Sequence, residues 1–169
     1  MSTPGLQLHS TVQKSGELTL SLAEVPTPAP REHEVVVRIE AAPINPSDLW
    51  LMLAGADFTD AKVSGTAERP VVTAKVPDPI LRMMGARLGQ PMPVGNEASG
   101  VVVETGASPA AKALQGKKVA LLGGAMYSQY RTVPAEQCLT LSDETTAAEG
   151  ASAFVNPLTA LSMLSLIHI

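Results

Sequence analysis

The sequence predicts a mainly β fold with short helices, and three observations carry that expectation. Glu34 to Ala41 (EVVVRIEA) alternates, so Val35, Val37 and Ile39 share one face and Val36, Arg38 and Glu40 the other. The β-branched run Val101-Val102-Val103 leaves a glycine-bounded turn and ends near Gly106, the pattern of a buried strand. The helix signals are short and stand beside prolines, at Leu49 to Leu53, Ile80 to Leu88 and from Pro157 onward.

Composition narrows the class. At 169 residues the chain is one domain, or one and a fragment. Aromatic residues are only 3%, so Val, Leu, Ala and Met must fill the core. A formal charge of −4 argues against nucleic acid as a partner. Cys138 stands alone and has no internal disulfide partner, so a reducing, cytoplasmic compartment is expected. Met1 to Ser10 lacks a basic region followed by an apolar one, so no signal peptide is expected. No apolar run reaches membrane-spanning length, so no membrane partner is expected.

Taken in order, Leu18 to Leu22 alternates apolar and polar residues, giving a half-buried strand. The alternating prolines of Val25 to Pro30 cannot donate to a ladder and form an extended connector. After the strand Glu34–Ala41, Pro46 holds Asn45 extended, and Ser47 or Asp48 can cap the helix Leu49 to Leu53. Within 55–92, Asp78 is a cap and Pro79 a first helical residue. Ile80, Met83, Met84 and Leu88 form one apolar stripe, which packs against the main body rather than acting as a lid.

Glu97 is an acid in a stretch expected to be buried, so it needs partners. Accepting backbone N–H bonds that fix its turn satisfies that need. Residues of metal-ligating type are scarce: His9 and His33 stand in unrelated contexts, and no spaced Cys or His set exists for zinc. Leu114 to Leu122 reads as turn and strand. Paired glycines, Gly123 and Gly124, then lead into a strand with Tyr127, Gln129 and Arg131 on one face. Cys138 lies in a strand-like apolar setting, as an inert buried thiol does. Ser142 or Asp143 can cap the helix that follows. Asn156 caps, and Pro157 starts, the last helix.

Several of these stretches resemble the medium-chain dehydrogenase/reductase superfamily. Asn96-Glu97-Ala98-Ser99-Gly100-Val101 through Gly106 is similar to its Gly-His-Glu-x-x-Gly-x-Val-x-x-x-Gly stretch, with Asn96 where zinc-dependent members carry a histidine ligand. Ile44-Asn45-Pro46-Ser47-Asp48 resembles the zinc-independent quinone reductases and enoyl-thioester reductases. Asn156-Pro157-Leu158-Thr159-Ala160 resembles the hinge helix that leads into a Rossmann domain. The resemblance implies a GroES-like, partly open β-barrel over 1–155, with an insertion carrying a short helix over 55–92. A hinge helix over 156–163 would lead toward a Rossmann domain that is missing.

The same resemblance implies NADPH as cofactor and no zinc. Asn45 would contact the nicotinamide end, Asn156 and Thr159 would border it, and Tyr127 would line the substrate cavity and donate a hydrogen bond to a carbonyl. The implied reaction is hydride transfer to a small-molecule quinone or activated enone in a homodimeric parent, with the chain inactive by itself. Enoyl-thioester reduction is an alternative, but Gly55-Ala56-Asp57-Phe58 lacks the tyrosine those enzymes carry. A non-enzymatic GroES-like binding module is another. The last six residues, Leu164 to Ile169, match an in-frame translation of a transposase sequencing adapter and are expected not to be native.

Overall fold

The computed structural model describes residues 4–166. In chain order the elements are β1 (Pro4–Val12), β2 (Glu17–Pro26), β3 (Glu34–Ala41), α1 (Pro46–Leu53), β4 (Asp57–Gly65), β5 (Pro70–Lys75) and α2 (Asp78–Met83). There follow β6 (Met92–Pro93), β7 (Glu97–Thr105), α3 (Pro109–Lys112), β8 (Lys118–Leu122), β9 (Tyr130–Pro134), β10 (Cys138–Thr140), α4 (Ala147–Ala151) and α5 (Val155–Leu166). The mainly β class with short helices is therefore the observed one. Residues 167–169 of the expected adapter stretch lie outside the described residues.

The strands form two antiparallel five-stranded sheets, ordered β4-β5-β2-β1-β6 and β10-β8-β7-β3-β9. The segment Met126–Gln129 stitches them together. Leu8 N–H donates to the Tyr127 carbonyl at 2.9 Å, and Tyr127 N–H donates to the Val94 carbonyl at 3.0 Å. Gln129 N–H donates to Leu6 at 2.9 Å, while its carbonyl accepts from Ile39 at 2.9 Å. Two sheets sharing one irregular strand make the expected partly open barrel.

Each sheet buries its own apolar face. Val35, Val37, Ala98, Val102, Val119, Leu121, Met126 and Val133 fill the core of the second sheet. Val12, Leu18, Ala54 and Val76 form a smaller core under the first, covered by Ile80, Leu81, Met84 and Leu88. The sequence stripe on α2 is corrected at one position: Met83 is 74% exposed, and Leu81 takes the inward place. The helix begins at Asp78 after Pro77, one residue ahead of the expected start, so Asp78 sits in the first turn and does not cap.

Other boundaries differ for physical reasons. β1 and the hairpin β4–β5 were not expected from the sequence. β4 is exposed almost throughout and carries no apolar period. α1 starts at Pro46 with Asn45 in the cap position, because Asn45 is extended (ψ 156°) and its carbonyl already accepts from Asp48 and Leu49. Thr146, not Ser142 or Asp143, caps α4, in a reciprocal arrangement with Glu149. The strand expected at Tyr127 begins only at Tyr130, since residues 126–129 are spent on the seam between the sheets. α5 begins at Val155, which leaves Asn156 inside the helix and not at its cap. None of the described helices is long and apolar enough to cross a membrane.

Candidate functional site

Three segments converge where α1 begins: the start of β7, the Gly123–Gln129 loop and the start of α5. Pro46 keeps Asn45 out of the helical region, so the chain turns sharply and buries the Asn45 side chain, which is 2% exposed. Asn45 N–H donates to Asp48 Oδ2 at 2.9 Å, closing the first turn. Its side-chain Nδ2 donates to Glu97 Oε1 at 3.0 Å. An ionised carboxylate can only accept, so this partner sets the sense of the Asn45 amide, nitrogen toward Glu97 and oxygen away.

Glu97 is fully buried at the first position of β7. Its Oε2 accepts from the backbone N–H groups of Phe154 and Val155, both at 3.0 Å. The expectation that Glu97 accepts backbone N–H bonds is met in kind, but the donors lie at the start of α5, Phe154 just before it and Val155 its first residue, not in its own turn. Three donors on two oxygens satisfy a buried carboxylate. The carboxylate also caps α5, whose free N–H groups carry partial positive charge.

Tyr127 reaches the same corner. Its backbone lies against Gly95, whose φ is +98° and where an added Cβ would sit 2.6 Å from Tyr127 N. Only glycine fits there. The Tyr127 hydroxyl donates its one proton to the Pro43 carbonyl at 2.8 Å. Burial, and then the neighbouring Asp48 carboxylate, push the phenol above its ordinary range. Asp48 is itself fully buried, and its Oδ1 has no hydrogen-bond partner among the described residues. Asn96 donates through Nδ2 to Ser47 Oγ at 2.9 Å, tying β7 to α1 a second time.

Asn45 and Tyr127 are thus close neighbours at the start of α1. Asn156 and Thr159 are exposed on the first turns of α5, and the Thr159 hydroxyl donates to the Val155 carbonyl at 2.6 Å. The buried link between the two groups is Glu97. Its acid in an apolar run was legible in the sequence; its partners more than fifty residues away carried no sequence signal. The buried Asp48 carboxylate, which the sequence offered only as a helix cap, is the other group brought into the site.

Asn45 and Asn96 point amide nitrogens at oxygen acceptors, and an amide N–H is no metal ligand. Among the described residues no group of three or more His, Cys, Asp or Glu could hold a metal. Beyond Phe154 a groove of about 480 Å³ runs along Leu122, Glu136, Gln137, Cys138 and Leu139.

No curated protein matches the chain. Among solved structures it is similar to a provisionally named NADPH:quinone reductase from Mesorhizobium loti, at 25% identity and a TM-score of 0.62, over 99% of this chain and 46% of that one. It is also similar in fold to the quinone oxidoreductase of Coxiella burnetii, at 19% identity and a TM-score of 0.62, over 96% of this chain and 45% of that one. The quinone oxidoreductase of Escherichia coli, solved with NADPH, is alike at 18% identity and a TM-score of 0.62, over 96% of this chain and 40% of that one. The chain spans less than half the length of these proteins. Residues 31–143, from the connector before β3 to the turn after β10, match the model of the alcohol dehydrogenase GroES-like domain, and the chain belongs to that family.

Proposed function

We propose that this chain is the substrate-side part of a zinc-independent, NADPH-dependent oxidoreductase of the quinone reductase type. The reaction is hydride transfer to a quinone or an activated enone. The observation that carries this reading is the Asn45–Glu97–α5 network. It puts amides and a satisfied carboxylate where a metal would need free ligands. The name of the Mesorhizobium loti protein supports the same class.

NADPH supplies the hydride when bound. Asn45, Asn156 and Thr159 would hold its nicotinamide end, Asn45 from the cap of α1 and the other two from the exposed turns of α5. Tyr127 is a hydrogen-bond donor, not a proton releaser: a phenol pushed above its ordinary range keeps its proton but can turn its O–H from Pro43 toward a substrate carbonyl. Enoyl-thioester reduction is disfavoured because Gly55-Ala56-Asp57-Phe58 carries no tyrosine. The parent protein is read as a cytoplasmic homodimer, and the chain alone as lacking most coenzyme contacts.

Three measurements test this. The chain by itself is expected not to oxidise NADPH in the presence of a benzoquinone; saturable oxidation would refute its dependence on a second domain. Joined to the remaining part of the Mesorhizobium loti protein, it is expected to oxidise NADPH in a quinone-dependent way that a metal chelator leaves unchanged. Loss of that activity on chelation removes the zinc-independent reading. In the same chimera, Tyr127→Phe with wild-type turnover removes Tyr127 as a donor.

A further inference from the structure

We infer that Glu97 is a positioning residue that couples the start of α5 to the Asn45 amide through a single buried carboxylate. Its consequence for the coenzyme rests on the function proposed above; the coupling stands on hydrogen bonds within this chain. One oxygen of Glu97 holds Asn45 Nδ2, and the other holds the N–H groups of Phe154 and Val155, all at 3.0 Å.

The backbone under Glu97 is fixed. Glu97 pairs with Leu122 of β8, and two residues on, Ser99 pairs with both Ala120 of β8 and Ala41 of β3. The carboxylate is the part free to follow a movement. Among the described residues α5 is exposed over most of its length: Leu158, Leu161 and Met163 are 48%, 60% and 62% exposed. Glu97 holds it at its first turn. A change in the tilt of α5 displaces two N–H donors, the carboxylate follows them, and Asn45 follows the carboxylate. Asn45 in turn closes the first turn of α1 on Asp48.

A carboxylate is the group this geometry needs. The backbone N–H groups of α5 cannot reverse, so in Glu97→Gln the side-chain oxygen must stay with them. The new amide nitrogen then faces Asn45, whose amide has to turn over and present its oxygen. Glu97→Gln thus keeps α5 anchored while inverting the polarity of Asn45.

The test is hydrogen exchange and side-chain amide NMR on the whole chain. In Asn45→Ala, exchange at Phe154 and Val155 N–H is expected to quicken on the order of tenfold or more, although Asn45 touches neither group. Ser108→Ala, which removes the cap of α3 elsewhere in the fold, is expected to leave both rates unchanged. In Glu97→Gln the two N–H groups stay protected while the Asn45 side-chain amide resonance moves. Unchanged exchange in a folded Asn45→Ala overturns the coupling. If that variant does not fold, Glu97→Gln decides, and an Asn45 resonance at its wild-type position overturns it. No coenzyme enters either measurement, so failure of the coenzyme reading would leave these outcomes untouched.

Discussion

The Tyr127 phenol loses solvent on folding and faces the Asp48 carboxylate, and both effects hold its proton. Burial acts alone on Cys138 and pushes its thiol up to about 11. For an acid whose folded pKa is raised, the folded state keeps the proton longer than the unfolded chain. The resulting stability is complete below the unfolded value and is lost as pH rises through the folded value. Stability should therefore fall from about pH 9 upward, first through Cys138 and then, above about pH 10, through Tyr127 as well. Urea midpoints measured from pH 8 to 11 check this. Cys138→Ala should flatten the earlier part of the slope and Tyr127→Phe the later part. The same raised thiol predicts alkylation of Cys138 at pH 8 slower than a free thiol by on the order of tenfold or more, read by mass shift with iodoacetamide. The apolar context of Cys138 was legible from neighbouring residues in the sequence. The Tyr127 environment was not, because Pro43 and Asp48 reach it only through the fold.

Among the elements, legibility followed exposure of the pattern. β3 is predicted to the residue because it has one face on the core and one half in solvent, and alternation records that difference. The hairpin β4–β5 was invisible because β4 is wet on both faces, so no period was imposed on it. α1 was found from its proline but given the wrong cap, since the Asn45 side chain is committed to Glu97 and only its backbone serves the helix. The turn that delivers β7 depends on Gly95. Gly95→Ala adds a Cβ within 2.6 Å of Tyr127 N at a backbone angle that L residues resist. The expected loss is about 1–3 kcal/mol in unfolding free energy. It should come with a shifted Tyr127 ring resonance, because the seam must open locally to accept the methyl group. A Gly95→Ala chain with wild-type stability and an unmoved Tyr127 would mean the loop has slack that the close approach does not reveal.

At the scale of the molecule, the question is whether two cores behave as one. The smaller core around Val12, Leu18, Ala54 and Val76 is separated from the larger one by the β1 and Met126–Gln129 seam. The backbone bonds across that seam involve β1, the residues before β7, the segment preceding β9 and Ile39 of β3. Neither sheet can come away without breaking the ladder that closes the other. Leu18 is fully buried in the smaller core, and Leu18→Ala should cost about 2–5 kcal/mol through lost transfer energy and a residual cavity. The seam predicts that this loss lowers one common transition instead of releasing the smaller core alone. Trp50, 59% exposed on α1, stands beside Gly55 and reports the edge of that core by fluorescence, while far-UV dichroism reports both sheets. In Leu18→Ala the two signals should move together to lower urea. An early fluorescence transition with the dichroism unchanged would show that the barrel is two separable cores, and that the seam between β1 and Tyr127 is too weak to bind them.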